Sequence, residues 1–190
     1  MREIEKVEVR FIQELRKWLE KNHSQQESVW LVSYKKSTPE FYVSWNEIVD
    51  QLLCFGWIDS VVRKLDDLRT MRLISKRQRS SIWSLVNKKK VSRLIEEGLM
   101  MPAGLKVIEQ AKKDGSWNFL DEVDQLIIPE DLISEFKQHP KALAHFEQFP
   151  KSVKRGILYW IKSAKKLETR ENRIIEAAFL ASENVRANHI

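Results

Sequence analysis

The chain has 190 residues, of which 43% are hydrophobic and 32% charged, a balance typical of a folded globular protein rather than a disordered one. No apolar run approaches the roughly 20 residues that span a bilayer, and the single cysteine excludes an internal disulfide. The first residues intersperse charges with apolar side chains and do not form a signal peptide, so we expect a cytoplasmic protein of one domain or two small ones.

The net charge of +6 is concentrated in one segment of the chain. Residues 63–93 contain eleven Lys and Arg residues against two Asp residues, a net charge of +9. The segments on either side of it have a net negative charge. This distribution predicts a local basic surface rather than a uniformly basic protein.

The first part of the chain predicts both helices and strands. Apolar residues at helical spacing predict an amphipathic helix over 7–21, and β-branched and aromatic residues predict a strand over 28–36. Two more strands, over 58–64 and 69–76, flank a turn at Asp66–Asp67. The three strands would form a small antiparallel sheet, which needs helices against one face to be stable.

The segment "VSWNEIVDQLLCFG" contains the clearest local signals for a helix. Ser44 and Glu47 have the spacing of a capping box, and Val43 and Ile48 have that of a hydrophobic staple. Gly56 stands where a helix ends in the left-handed conformation. We therefore predict a helix that begins after Ser44 and ends before Gly56.

From Ser80 onward the pattern is helical. Glycines and prolines mark the expected ends and starts, and the last helix is predicted over 169–183 with Thr169 as its N-cap. The predicted fold class is α+β: a small antiparallel sheet packed with helices over residues 1–127, followed by an all-helical module over 128–190.

Three motifs, in order, carry a resemblance to a known family: "LCFGWIDS…RKLDD", "RSSIWSLVNKKKVSRLIEEGLMMPAGLKVIEQAKKDGSW" and "YWIKSAKKLETRENRI". Together they make residues from about 41 to 181 resemble the YdeI/OmpD-associated family, also labelled bacteriocin-protection proteins. Residues 129–186 resemble the short helical module that defines the family. The resemblance implies an association with protection against antimicrobial peptides or with envelope stress, and it brings no catalytic residues. A role in the envelope would require export.

The basic segment gives the strongest functional hypothesis. Lys and Arg side chains with nearby hydroxyls suit phosphate recognition, and an exposed aromatic ring can stack on a base. We therefore favour a non-enzymatic binding protein for a polyanion: nucleic acid, an acidic protein or an anionic lipid surface. The alternative without a binding function is a solvated charged surface, with the Trp83 side chain in the core. The candidate residues are Arg72, Lys76, Arg77, Arg79, Trp83, Lys88, Lys89 and Lys90.

A second hypothesis is a small enzyme or ligand-binding protein with a pocket between the sheet and the C-terminal helices. Trp57, Asp59 and Arg63 would line one side of this pocket, and Trp160 and Arg170 the other. Asp59 has an ordinary alternative as the acid of an ion pair with a neighbouring Arg or Lys, and Arg170 has one as part of an inter-helix salt bridge.

Recognisable catalytic and metal-binding chemistry is not indicated. Cys54 falls at a helix C-terminus, which disfavours a thiolate, so we expect it to be a buried filler. The four histidines show no paired ligand spacing, and the sequence has neither a Gly-rich phosphate loop nor a G-x-S-x-G motif. We therefore expect no metal and no cofactor.

Overall fold

The structure, a computed structural model, describes residues 4–187. The chain divides into two compact units, one ending at Asn118 and the other beginning at Phe119.

The first unit combines a sheet with helices, which confirms the predicted α+β class. The elements are β1 (Lys6–Glu8), α1 (Ile12–Asn22), β2 (Val29–Tyr34), a 3-10 turn (Pro39–Phe41), α2 (Trp45–Cys54), β3 (Trp57–Lys64), β4 (Arg69–Lys76), α3 (Leu85–Glu96) and α4 (Pro102–Lys113). The sheet has the strand order β1-β2-β4-β3. Strands β2 and β4 pair antiparallel, as do β3 and β4, whereas β1 runs parallel to β2.

The beginning of the chain differs from the prediction. The helix expected over 7–21 begins only at Ile12, because Lys6–Glu8 form a fourth strand beside β2. Backbone hydrogen bonds fix this strand: Trp30 N donates to the Glu5 carbonyl at 2.8 Å, and Val9 N donates to the Val32 carbonyl at 3.0 Å. Three residues carry too short a pattern to reveal a strand, so pairing with distant residues decides the conformation.

The local signals around α2 are confirmed. The Ser44 hydroxyl accepts a hydrogen bond from Glu47 N at 3.3 Å, and Ser44 N donates to the Glu47 carboxylate at 3.0 Å. Val43 and Ile48, the two staple positions, are both buried. Gly56 has a φ of +75° and ends the helix turn that leads into β3.

The core of the first unit lies between the sheet and its helices. Leu15 and Leu19 of α1, Ile48 and Leu52 of α2, and Trp57 of β3 are among its fully buried side chains. Removing such side chains from water contributes roughly 1.5–3 kcal/mol each.

Helix α4 packs on the end of α2 and forms one wall of the site described below. Met101 N donates to the Cys54 carbonyl at 3.1 Å. Gly104 permits the approach, because a Cβ at that position would lie 2.7 Å from the Leu53 carbonyl oxygen and would also overlap the Cys54 carbonyl.

The second unit is all-helical. Its core includes Leu132, Phe136, Phe146, Ile157 and Ala178. Pro129 is the N-cap of the helix Glu130–Phe136, and Pro150 is the N-cap of the helix Lys151–Lys162. Its helices are α5 (Asp121–Asp124), α6 (Glu130–Phe136), α7 (Ala142–Gln148), α8 (Lys151–Lys162) and α9 (Leu167–Ser182).

Two helix starts in the second unit differ from the prediction. Helix α9 begins at Leu167 with Lys166 at the N-cap, so Thr169 lies inside the first turn and does not cap the helix. Helix α7 begins after Lys141, whose φ of 66° is left-handed, rather than directly after Pro140. Within residues 4–187, no helix is both long enough and apolar enough to cross a membrane.

Candidate functional site

The first unit contains an open cleft with a volume of about 520 Å³. One wall is the segment 76–81, which follows β4, and the other is one face of α4 from Pro102 to Ala111. The end of α1 closes one side through His23 and Ser24. Apolar side chains form much of the lining: Phe55, Pro102, Ala103, Val107 and Ala111.

The charges that line the cleft are mostly basic. Lys76, Arg77 and Arg79 come from the segment after β4, and Lys106 comes from α4. Among the described residues, Asp114 is the only acidic one in the lining. Hydrogen bonds from Ser116, and others that include the Ser80 backbone, lower the pKa of Asp114. The cleft therefore has an excess of positive charge.

The wall formed by 76–81 contains a buried charge at Arg77, and the surface around this residue is called the floor of the cleft. The Arg77 backbone N donates to the Gly56 carbonyl at 2.9 Å, which extends the pairing of β3 with β4 by one residue and fixes the side chain at the end of the hairpin. The residue is 5% exposed, and its guanidinium carbon lies 3.9 Å from the centre of the Trp83 ring. One guanidinium nitrogen, Nη1, donates to the Ile82 carbonyl at 3.2 Å.

The hydrogen-bonding capacity of Arg77 is only partly used. Its Nε is buried and has no hydrogen-bond partner. Burial lowers the pKa of Arg77 to about 10, and the more distant Asp59 charge acts in the opposite direction. Among the described residues no carboxylate forms an ion pair with it. Buried guanidinium groups are normally paired, so this arrangement marks Arg77 as a candidate binding group.

The segment 76–81 has a defined conformation. Ser80 has a φ of 61°, a left-handed conformation that costs a non-glycine residue roughly 1 kcal/mol or more. The Ser80 backbone helps to lower the pKa of Asp114, so this segment comes near the residue that follows α4.

The structure places Trp83 in the core. It is 1% exposed, and its ring centre lies 4.9 Å from that of Trp117. The sequence hypothesis of a stacking platform for a base needs an exposed ring. Trp83 instead forms the surface on which the Arg77 guanidinium lies.

Two other candidate residues have internal partners. Arg72 pairs with Asp59 at 3.7 Å and lies 3.8 Å from the centre of the Trp45 ring. Lys90 pairs with Asp50 at 2.8 Å. Internal pairing reduces what either side chain offers to an external anion.

The remaining basic candidates lie on α3, outside the cleft lining. Lys88 lies 5.5 Å from the centre of the Trp117 ring, and Lys89 is exposed. The structure therefore brings only Lys76, Arg77 and Arg79 of the eight candidates to the cleft. It adds Lys106, which the sequence analysis missed because α4 lies outside the basic segment.

The residues of the second hypothesis are mostly engaged within their own unit. Trp57 is fully buried, and its Nε1 donates to the His23 carbonyl at 3.1 Å, so it does not line an open pocket. Asp59 forms the ion pair that the alternative interpretation expected. Arg63 places its guanidinium carbon 5.0 Å from the centre of the Trp30 ring.

In the second unit, Arg170 pairs with Asp131, with Nε and Oδ2 2.7 Å apart. The hydrogen bond from Arg170 is the main cause that lowers the pKa of Asp131. The centre of the Trp160 ring lies 5.2 Å from the guanidinium carbon of Arg173. These contacts agree with a structural role for Arg170.

Cys54 is a free, buried thiol, and burial raises its pKa, as expected for a filler residue. In residues 4–187 no group of three or more His, Cys, Asp and Glu side chains is arranged to hold a metal ion.

Residues 7–107 match the model of a family described as a domain of unknown function, DUF8412. This match covers more than half of the chain and includes the four basic residues of the cleft. The chain belongs to the DUF8412 family.

Residues 125–184 match the family described as "Bacteriocin-protection, YdeI or OmpD-Associated", which confirms the resemblance for the C-terminal helices. The first quoted motif, "LCFGWIDS…RKLDD", and most of the second lie within residues 7–107, so they belong to the DUF8412 match and not to the YdeI/OmpD-associated match. No curated protein and no solved structure matches the chain significantly.

Proposed function

We propose that this chain is a non-enzymatic binding protein that engages a polyanion through the rim of the cleft in its DUF8412 part. The supporting observation is the group of basic side chains at the rim, Lys76, Arg79 and Lys106, around an open concavity with one acidic residue. Lys and Arg side chains bind phosphate groups mainly through charge, and the Ser80 and Ser81 residues of the same wall supply further polar groups.

The first partner class to test is nucleic acid. Because Trp83 is buried, we expect contacts to phosphates without base stacking on that ring, and therefore little sequence preference. Contacts of this kind release counterions, so the affinity falls as salt rises, with a slope that counts the phosphates neutralised.

The test is fluorescence anisotropy with labelled single- and double-stranded oligonucleotides, titrated from low to near-physiological salt. The double variant Lys76→Ala/Arg79→Ala should flatten the plot of log affinity against log salt by about two units, because each removed side chain accounts for roughly one phosphate contact. It should weaken binding to all sequences alike.

A matched control is Lys137→Ala/Lys151→Ala, which removes two exposed positive charges from the second unit. We expect it to leave the slope unchanged. Equal flattening by both double variants would mean that general charge attracts the oligonucleotide, and would contradict a site at the cleft. Binding by the unchanged protein that vanishes at physiological salt would contradict the proposed function itself.

We propose that this binding belongs to bacteriocin protection, because the family that residues 125–184 match is described by that role. Antimicrobial peptides are usually cationic, and a chain with a net charge of +6 repels them at long range. The role we propose is therefore indirect: the protein binds an anionic partner rather than the peptide.

A further inference from the structure

We infer that the floor of the same cleft is a separate site for a small amphipathic anion, a single carboxylate on an apolar body, with Arg77 as the group that binds the carboxylate. This site goes beyond polyanion binding at the rim and does not depend on it.

The first argument is the unused capacity of Arg77. Its Nε is buried without a partner, whereas Nη2 makes no hydrogen bond to any described residue and is not fully buried. Arg77 is one of the residues that line the cleft. The neighbouring groups satisfy only Nη1, through Ile82, and the face of the guanidinium, through Trp83. A planar guanidinium held against an aromatic ring presents its donors in a fixed plane, which suits a carboxylate.

The second argument is the energetic cost of that charge. Removing a guanidinium from water without a counterion is unfavourable, and burial lowers the pKa of Arg77 to about 10. A bound carboxylate would supply the missing counterion and acceptor. Because an anion offsets the desolvation cost of the Arg77 charge and a neutral ligand does not, the site favours anions.

The third argument is the lining. Phe55, Ala103 and Val107 contribute apolar walls that phosphate contacts do not need. A volume of about 520 Å³ is far larger than an inorganic anion and lies within the 300–1,000 Å³ typical of small-molecule sites. A positive charge at the floor and apolar walls beside it match a ligand with one anionic group on an apolar body.

The experiment is isothermal titration of the full chain with 2-naphthoate, 2-naphthol and acetate at neutral pH. The naphthol keeps the ring system without the carboxylate, and acetate keeps the carboxylate without the rings. We expect saturable 1:1 binding of 2-naphthoate, with an affinity at least tenfold higher than that of either control ligand.

Two variants test the placement. Arg77→Met should reduce the affinity for 2-naphthoate at least tenfold and leave the affinity for 2-naphthol within twofold, because only the anion uses the guanidinium. Ala103→Trp fills the apolar wall from α4, which keeps its charges, and should abolish binding of 2-naphthoate. Thermal unfolding of both variants verifies that they are folded.

Three outcomes would overturn the inference: no saturable binding of 2-naphthoate, equal affinity for naphthoate and naphthol, or unchanged naphthoate binding by Arg77→Met. None of them bears on the rim, because the buried Arg77 does not enter the oligonucleotide salt slope. Conversely, loss of oligonucleotide binding in Lys76→Ala/Arg79→Ala leaves the floor site standing if 2-naphthoate still binds at least tenfold more tightly than 2-naphthol.

Discussion

At the scale of the single residue, the burial of Arg77 lowers the stability of the fold and leaves hydrogen-bond donors unused. The side chain is buried against Trp83 with one hydrogen bond, to Ile82, and no ion pair in the described structure. A buried charge without a counterion lowers stability, and an apolar side chain of similar size is often neutral or better in its place. Sites built for binding commonly carry such a cost.

We predict that Arg77→Met raises the free energy of unfolding by about 1 kcal/mol at neutral pH, because relief of the desolvation cost exceeds the loss of one hydrogen bond and a cation–π contact. Since the pKa of Arg77 is lower in the folded chain than in the unfolded chain, the cost is present at every pH well below 10 and diminishes as pH rises through about 10. Urea unfolding at pH 7 measures the difference.

The control for this measurement is Arg79→Met, which removes the same charge from an exposed position and should change stability by less than about 0.5 kcal/mol. If Arg77→Met instead lowers the free energy of unfolding, the contacts with Ile82 and Trp83 outweigh the desolvation cost. The guanidinium would then be a structural element of the hairpin end.

At the scale of the element, the sequence predicts what local chemistry decides. The capping box of α2, the left-handed Gly56 and the hairpin of β3 and β4 all follow from neighbouring residues, and the structure confirms each of them. Strand β1 and the cleft arise from residues far apart in the chain. Lys106 reaches the cleft only because α4 packs on the end of α2, and no local pattern encodes that packing.

The position of α4 depends on Gly104. We predict that Gly104→Ala lowers the free energy of unfolding by about 2 kcal/mol or more, because its Cβ would overlap the backbone carbonyls of Leu53 and Cys54, which cannot move as a side chain can. Chemical denaturation, followed by tryptophan fluorescence for the first unit, measures the loss.

Gly156→Ala in α8 is the matched control, because nothing lies within 4 Å of the added Cβ. Alanine is the better helix former, so this substitution should raise stability by roughly 0.5–1 kcal/mol, measured by helical circular dichroism. A Gly104→Ala variant as stable as the unchanged protein would show that α4 does not pack closely against the end of α2. The wall of the cleft would then lack a fixed position.

At the scale of the whole molecule, the formal charge of the basic segment overstates the charge available to a partner. Within 63–93, Arg69 pairs with Glu8 and Asp66, Arg72 with Asp59, and both Lys90 and Arg93 with Asp50. The sequence gives the sum of the charges, but only the tertiary structure gives the pairs. Charge counting therefore overstates how many basic side chains of this segment are available to an external anion.

The protective context can be tested on the same variants. We predict that cells lacking this protein survive bacteriocin challenge less well, and that the wild-type chain and Lys137→Ala/Lys151→Ala restore survival whereas Lys76→Ala/Arg79→Ala does not. Under the proposed function the rim, and not the total charge, engages the anionic partner, and both double variants carry the same net charge. Survival curves at several bacteriocin concentrations, with protein levels matched, measure the effect. If both double variants restore survival equally, protection does not depend on the rim of the cleft. If cells without the protein survive as well as cells with it, the protein has no role in bacteriocin protection.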